Sequence, residues 1–176
     1  MLVETLIKTK DEDPVPIIPN ALAEMYRDHH RMVFRTAYRI TGNAADAEDV
    51  LQTVFLRMVR RDEAADAIEH RENYLRRAAV HAALDLVRAR RSAAEVDLDR
   101  LPAATSSRPD QGDLRDLLRQ ELSELPARSA EIFTLRFFEG LTNREIADAL
   151  GISSITVAVT LHRTRRELQK KLRASS

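Results

Sequence analysis

The C-terminal region holds the side chains whose types and spacing best support one chemistry, the binding of nucleic acid. Thr142 and Glu145 have the spacing of a capping box, and Gly151 stands where the helix that they start must end. A second helix follows, with Ser153 or Ser154 as its cap. Two helices joined by such a turn form a helix-turn-helix, whose second helix enters the major groove of DNA. The pattern therefore predicts a DNA-reading element.

The second helix of this element is predicted to have one buried and one open face. Val157, Leu161 and Leu168 have the spacing of a face that packs on the first helix. Among the open residues, three arginines are the expected phosphate anchors, and small apolar groups can contact thymine methyls. The candidate DNA-binding residues are Ser153, Ser154, Thr156, Ala158, Val159, His162, Arg163, Arg165 and Arg166. A plain helical hairpin with a solvated, charged last helix is the alternative.

The residue types give little support for an enzyme. The chain has no cysteine, which excludes disulfides, thiolate zinc sites and cysteine nucleophiles. His29, His30 and the pair His81 and Asp85 could be metal ligands in a helical bundle, but no second pair of similar spacing accompanies them. There is no glycine-rich phosphate loop or nucleophile elbow. We expect no catalytic residue, no metal and no cofactor.

Charge is distributed unevenly along the chain, although 28 basic and 28 acidic residues give a formal net charge of zero. Residues 1–70 hold 13 acids and 9 bases, a net charge of −4. Residues 71–91 hold 6 bases and 2 acids, and residues 162–173 hold 6 Lys or Arg and one Glu. Two basic surfaces on an otherwise acidic chain are typical of a protein that touches DNA at two places and binds another partner through its acidic part.

Apolar periodicity is helical wherever it is clear, so the predicted fold is all-α with two small helical domains. Helices are expected from Asn20 to a break at Gly42, from about Ala44 to Arg61 and from about Glu72 to Arg91. The segment between the domains is rich in small, polar and proline residues and is expected to be a flexible linker. The predicted division is an arm at 1–19, expected to be disordered, a helical domain at 20–91, the linker at 92–112 and a helix-turn-helix domain at 113–176.

No stretch of the sequence is long and apolar enough to cross a bilayer, and the N-terminus lacks a long apolar core. We therefore expect a soluble, cytoplasmic protein without membrane insertion.

The second and third predicted helices resemble the conserved second region of bacterial sigma factors of the extracytoplasmic-function group. That family carries the phrase AxDAEDxxQxxFLR, a variable loop, and then an aromatic, arginine-rich helix that ends in ALDxxRxRR. The matching residues are Ala45, Asp46, Ala47, Glu48, Asp49, Gln52, Phe55, Leu56 and Arg57, then Tyr74, Leu75, Ala83, Leu84, Asp85, Arg88, Arg90 and Arg91. The C-terminal phrase LPARSAEIFTLRFFEGLTNREIADALGIS is similar to the fourth region of the family. The resemblance covers roughly residues 21–91 and 114–172.

The resemblance implies a function in transcription initiation. The second helix of the family docks on a coiled coil of the largest RNA polymerase subunit, so an exposed strip on this helix would bind core RNA polymerase. Its residues here are Asp46, Asp49, Gln52, Thr53 and Leu56, with Phe55 beside them. Members of the family are often held inactive by an anti-sigma factor.

The third helix is implied to bind the downstream promoter element, where the duplex opens. Opening needs cations for the phosphates and an aromatic platform or pocket for the extruded bases. The candidates on this helix are Tyr74, Arg76, Arg77, His81, Arg88, Arg90 and Arg91, and the loop from about Asp62 to Arg71 would supply the pocket.

This chain departs from the family in both DNA-binding helices. Tyr74 stands where tryptophan is frequent, and Val80 and His81 stand where Arg-Asn is common. In the recognition helix, TVAVTLHRTR replaces the usual TVxSRLxRAR. We expect this region to have the fold of the family, but we do not expect this chain to recognise the promoter sequence that other members recognise.

Two other functions fit parts of the sequence. The phrase LTNREIADALGIS also resembles the helix-turn-helix of response-regulator-type activators, but the strand-helix alternation of a receiver domain is missing. A sigma-like protein-interaction module that no longer initiates transcription is the other alternative, and the altered recognition helix is its main support.

Overall fold

The structure of the protein is a computed structural model that describes residues 20–61, 70–98 and 111–174. Every regular element in these ranges is an α-helix, which confirms the predicted all-α class. The predicted disordered arm, most of the predicted pocket loop and residues 99–110 of the predicted linker lie outside the described residues. The helices are α1 Asn20–Thr41, α2 Ala44–Arg61, α3 Arg71–Leu98, α4 Gln111–Glu124, α5 Ala127–Phe137, α6 Asn143–Leu150 and α7 Ser154–Ala174.

Helices α1 to α3 pack against one another around an apolar core. Gly42 makes the break between α1 and α2, because its φ of 72° lies in the left-handed region that glycine adopts without a steric penalty. Asn43 then starts α2, since its Oδ1 accepts a hydrogen bond from the Ala45 backbone N–H over 2.8 Å. The fully buried side chains of this part include Met25, Val33, Ile40, Val50, Leu75, Val80 and Leu84.

Tyr26 of α1 lies at the surface, beside the edge of the core. Tyr26 is 44% exposed. Its ring meets the ring of Phe55 edge-on, with 4.9 Å between centroids, and stacks on the ring of His30. The tyrosine therefore covers the edge of the core instead of filling it, as an amphipathic ring can.

Helix α3 is longer than the sequence predicted. It continues seven residues past Arg91, to Leu98, through a part of the chain that we expected to begin the linker. The added residues, SAAEVDL, include two alanines, a glutamate and a leucine, which favour helix.

Helices α4 to α7 form the C-terminal part, and two of them lie against α3. α4 contacts α3 and α7, while α5 contacts α3, α6 and α7. Leu122, Ile132, Leu135, Ile146 and Val157 are fully buried there. No helix in the described part of the chain has the length and apolar character needed to span a membrane.

Candidate nucleic-acid interface

The capping box at the start of α6 is present. The Thr142 hydroxyl accepts a hydrogen bond from the Glu145 backbone N–H over 3.2 Å, and a Glu145 carboxylate oxygen accepts one from the Thr142 backbone N–H over 2.7 Å. The Thr142 backbone N–H and hydroxyl both donate hydrogen bonds to the Glu145 carboxylate, which lowers the pKa of Glu145 below its ordinary value. Two backbone donors that would otherwise lack partners are thus satisfied, and the first residue of α6 is defined locally.

The turn between α6 and α7 has the geometry predicted from the sequence. Gly151 adopts φ 62° and ψ 39°, the left-handed conformation of a helix C-cap. Ser153 is the cap of α7, because its Oγ accepts a hydrogen bond from the Thr156 backbone N–H over 3.0 Å. The two helices therefore enclose a short, hydrogen-bonded turn, as a helix-turn-helix requires.

Helix α7 presents a continuous exposed face. Val157 and Leu168 are buried against the rest of the C-terminal part, with Leu161 partly buried. Ile155, which is not among the predicted DNA-binding residues, lies on the open face and is 74% exposed. Its position three and four residues before Ala158 and Val159 is the signal that could have identified it. All nine predicted DNA-binding residues of this element are exposed: Ser153, Ser154, Thr156, Ala158, Val159, His162, Arg163, Arg165 and Arg166.

The predicted DNA-binding residues of α3 lie in a different environment, because several of them contact the C-terminal helices. Arg77 donates through Nε to Glu131 on α5 over 3.0 Å and through a terminal nitrogen to the Ala149 carbonyl of α6 over 3.1 Å. His81 Nε2 lies 3.0 Å from the same carboxylate oxygen of Glu131. Arg77 and His81, which were predicted to contact the promoter, thus bind other side chains and carbonyl groups of this protein.

Glu131 is the centre of this contact. Its side chain is only 3% exposed and also pairs with Arg128 at 3.1 Å. Burial by itself would raise the pKa of the carboxyl group, but hydrogen bonds and charge interactions from His81 and Arg77 outweigh burial and lower the pKa to about 2. The carboxylate is therefore charged at neutral pH in this buried position.

A second buried carboxylate, Glu139, contacts residues of α1 and α3. Its side chain is 4% exposed. It accepts a hydrogen bond from the Thr36 hydroxyl over 2.8 Å and pairs with Arg39 at 3.1 Å and with Arg76 at 3.5 Å. Both α1 and α3 are thereby tied to the segment that leads into the helix-turn-helix.

The C-terminal half of α3 contacts the end of α4. Arg88 donates to the Ser123 carbonyl over 3.0 Å, and Arg91 pairs with Glu124. Carbonyls at a helix C-terminus lack intrahelical donors, so arginines are favourable partners there. Lys171 of α7 also pairs with Glu124, which lowers the pKa of that carboxyl group.

Tyr74, the predicted stacking residue, is partly buried beside the core. It lines a cavity of about 270 Å³ together with Val54, Arg57, Arg77, Ala78 and His81. An aromatic ring among cations can accommodate a base and its phosphate.

The strip on α2 is only partly as predicted. Asp49, Gln52 and Leu56 are exposed, Leu56 by 52%, and Thr53 is partly buried. Phe55 is 8% exposed. The expected exposure of Asp46 is wrong: its side chain is 3% exposed and forms an ion pair with Arg90 of α3. The reason is long-range packing, because Arg90 of α3 reaches the first turn of α2 and pairs with this carboxylate.

An apolar groove beside this strip was not predicted from the sequence. It has a volume of about 590 Å³ and is lined by residues of α1 and α2, including Tyr26, Phe55, Leu56 and Val59. Val59 is 40% exposed. Val59 follows Leu56 by three residues and Phe55 by four, a helical spacing that could have indicated a shared face.

The described ranges contain no group of three or more histidine, aspartate or glutamate side chains arranged to hold a metal ion. His29 and His30 are partly buried on α1, and His81 is engaged with Glu131.

Two family profiles match the chain. Residues 25–93 match sigma-70 region 2, and residues 115–168 match sigma-70 region 4. The first covers α2 and most of α1 and α3, and the second contains α5, α6 and most of α4 and α7.

Several known proteins are similar to the chain over most of its length. It is 32% identical over 150 residues to the RNA polymerase sigma-E factor of Streptomyces coelicolor, covering 85% of this chain and 84% of that protein. It is 34% identical to the ECF RNA polymerase sigma factor SigE of Mycolicibacterium smegmatis, but spans only 60% of that protein. SigW, an ECF sigma factor of Bacillus subtilis, is 25% identical over 97% of this chain and 99% of its own length.

Two solved structures have the same fold. CnrH, in complex with the cytosolic domain of CnrY, is 24% identical with a TM-score of 0.53, over 89% of this chain and 90% of CnrH. RpoE from Bartonella quintana, in complex with the anti-sigma factor NepR, is 17% identical with a TM-score of 0.52, over 90% and 100% of the two chains. At these identities the likeness concerns the fold alone.

Proposed function

Because this chain belongs to the extracytoplasmic-function sigma factors of bacterial RNA polymerase, we propose a division of the initiation reaction among its helices. α2 and the neighbouring groove bind core RNA polymerase, α7 binds the upstream promoter element, and α3 captures the opened strand downstream. The division between these functions lies between the end of α3 at Leu98 and the start of α4 at Gln111. The protein works in the cytoplasm as a dissociable binding subunit and is not an enzyme.

The observation that carries the upstream assignment is the open face of α7. All nine candidate side chains of α7 and its cap are exposed. They belong to the second helix of a helix-turn-helix whose capping box and left-handed glycine are in place. Arg163, Arg165 and Arg166 bind phosphates, and the first two turns of α7 meet the base edges, as in other helix-turn-helix proteins.

Polymerase binding by α2 uses the exposed residues of the strip and the apolar groove beside it. Asp49 and Gln52 supply polar contacts, and Leu56 and Val59 supply apolar area that lies open in the free protein. A charged rim around exposed apolar side chains is the usual composition of a protein-binding surface. Asp46 supports this surface through Arg90 and does not itself contact the polymerase.

Promoter melting by α3 requires the C-terminal helices to move away from it. Arg77 and His81 pair with Glu131, and Arg76 pairs with Glu139, so these carboxylates take the place that DNA phosphates would occupy. A protein that stabilised this closed arrangement would keep the sigma factor from DNA. Anti-sigma factors, one of which is bound to the Bartonella relative, are the partners that we expect to use it.

Runoff transcription tests the proposal. The full chain is mixed with core RNA polymerase and fragments of its own genome, and transcripts are mapped beside those of Asp49→Arg. Asp28→Arg, the same change at an exposed position of α1, is the matched control. We expect specific transcripts from the wild type and from Asp28→Arg, and none from Asp49→Arg. Stable polymerase binding without transcripts would favour a non-initiating, sigma-like role, and no polymerase binding would contradict the proposal.

A further inference from the structure

The first two turns of α7 carry an apolar surface that the core does not use. Ile155 is 74% exposed and Val159 is 44% exposed. Ala158, between them on the same side of the helix, is exposed as well. Leaving branched aliphatic side chains in water is unfavourable, so such a patch at a binding element points to a contact that covers it.

The position of the patch within the helix-turn-helix identifies the contact. Val157 and Leu168 are buried on the opposite side of α7, which leaves Ile155 and Val159 on the side that faces away from the C-terminal core. In this motif the N-terminal residues of the second helix meet base edges in the major groove. Four residues of helix rise by about 6 Å, so the two side chains span about two base-pair steps.

Chemistry then restricts which bases these side chains can select. Isoleucine and valine side chains neither donate nor accept hydrogen bonds. The apolar group that the bases present in the major groove is the C5 methyl of thymine, whereas the other base edges present donors and acceptors. A guanine or cytosine facing Ile155 would lose hydrogen bonds to water and gain none from the protein.

The flanking residues anchor the same face to DNA. His162 and Arg166 follow Val159 by three and seven residues, so they continue its face, and both are exposed. The Arg166 guanidinium is suited to a backbone phosphate, and the His162 ring can hydrogen-bond at the same face. The occupant of the apolar patch is therefore a polyanion with apolar methyl groups, which describes a thymine-containing duplex.

We propose that Ile155 and Val159 are specificity-determining residues that read thymine methyl groups in the upstream promoter element. The inference rests on the proposed function of α7 and adds the chemical identity of the bases that it selects. The upstream element would carry thymines, on either strand, at the two positions that face the first turns of α7.

Methyl deletion in the DNA tests this contact. Holoenzyme formed from the full chain and core RNA polymerase is first used to select an upstream element from duplexes randomised at that site. Selected thymines are then replaced singly by uracil, which pairs identically but lacks the methyl group. We expect each replacement at a contacted position to weaken binding by about threefold to fivefold.

Variants of the protein distinguish a methyl contact from a general decrease in affinity. Ile155→Ala and Val159→Ala should bind thymine DNA more weakly than the wild type and should not discriminate uracil from thymine at the corresponding position. Arg166→Ala is the matched control, because removal of a phosphate-binding side chain should weaken binding to thymine and uracil DNA equally. Alanine favours helix at these exposed positions, and an unchanged thermal midpoint would verify that the variants fold.

The outcomes separate this inference from the proposed function. Sequence-specific binding that is insensitive to uracil, or selected elements without thymines at these positions, would overturn the inference and leave the sigma function intact. Weaker core polymerase binding by Ile155→Ala, with the holoenzyme of this variant still discriminating uracil from thymine as the wild type does, would assign the patch to a protein partner and also overturn the inference. A holoenzyme that selects no DNA sequence would overturn both.

Discussion

Arg77 of α3 donates a hydrogen bond over 3.0 Å to Glu131 of α5, a residue 54 positions away in the sequence. This contact joins the basic helix α3 to the C-terminal helices, which include the predicted helix-turn-helix. In the proposed function this arrangement would couple the upstream and downstream contacts, because α3 would meet DNA phosphates only after it separates from Glu131 and Glu139. Release of the C-terminal helices from α3 is expected to precede melting.

Removal of the Glu131 charge should open the protein. In Glu131→Gln, Arg77, His81 and Arg128 lose their shared anionic partner, which we expect to cost the closed form about 1 to 3 kcal/mol. Small-angle X-ray scattering should show a larger radius of gyration than for the wild type, and the isolated variant should bind single-stranded promoter DNA more tightly. Glu167→Gln, at an exposed position of α7, is the control. Equal radii and equal DNA affinities would show that Glu131 does not hold the domains together.

The contribution of Glu131 to stability should depend on acidity in a defined direction. Its pKa is lowered from 4.5 to about 2 in the folded protein, so the folded state favours the ionised carboxylate. The stabilisation is complete above the unfolded pKa of 4.5 and declines as the pH falls towards about 2. It amounts to at most about 3 kcal/mol.

Urea unfolding of the wild type and of Glu131→Gln at several pH values checks this dependence. The difference in unfolding free energy should be largest near neutral pH and shrink steadily below about pH 4.5. A difference that grows on acidification would contradict the assignment of a charged carboxylate.

Two aspartates of α2 should respond differently to the same substitution. Asp46 is buried and pairs with Arg90, so Asp46→Asn should lower the free energy of unfolding by about 1 to 3 kcal/mol. Asp49 is exposed, and Asp49→Asn should leave stability within about 0.5 kcal/mol while weakening polymerase binding. Thermal unfolding and polymerase pull-down measure the two effects. Equal decreases in stability would mean that Asp49 also has a structural role.

The arginines of α7 should contribute to the salt dependence of DNA binding. Substitution of Arg163, Arg165 or Arg166 by Ala should lower the slope of log affinity against log salt by about 0.9 for each phosphate that the arginine binds. Titration of duplex promoter DNA at several salt concentrations measures the slope. Arg115→Ala, at an exposed position of α4, should leave it unchanged. A triple variant with the wild-type slope would remove these arginines from the interface.

Gly151 tests the turn without a steric complication. A Cβ atom added there would meet nothing within 4 Å, but its φ of 62° is unfavourable for other residues. Gly151→Ala should therefore lower the unfolding free energy by about 1 kcal/mol through the backbone alone. Asparagine tolerates this conformation better, so Gly151→Asn should cost less. If thermal unfolding shows that Gly151→Ala is more stable than Gly151→Asn, this account is wrong.

The ends of several helices depend on residues close to them in the sequence, so the sequence alone was sufficient to predict these ends. Thr142 caps α6 through Glu145, three residues away, and Gly151 ends the same helix through its own backbone. The bounds of α1 and α2 likewise follow from helical periodicity and from the break at Gly42. Such features depend on neighbours within one or two turns, which a single sequence displays directly.

Contacts between distant parts of the chain were decided by the tertiary structure. Asp46 matches the exposed strip of the family phrase, yet Arg90, 44 residues later, pairs with it in a buried position. The pairing of Arg77 with Glu131, and the groove in which Val59 lies, likewise depend on how helices pack across the molecule. Periodicity predicts which face of a helix is apolar, but it carries no information on which partner covers the charged face. The sequence therefore predicted which side chains would bind DNA from their types and spacing. Only packing decided that those of α7 are open, while several of those on α3 are held by carboxylates and carbonyl groups of the chain itself.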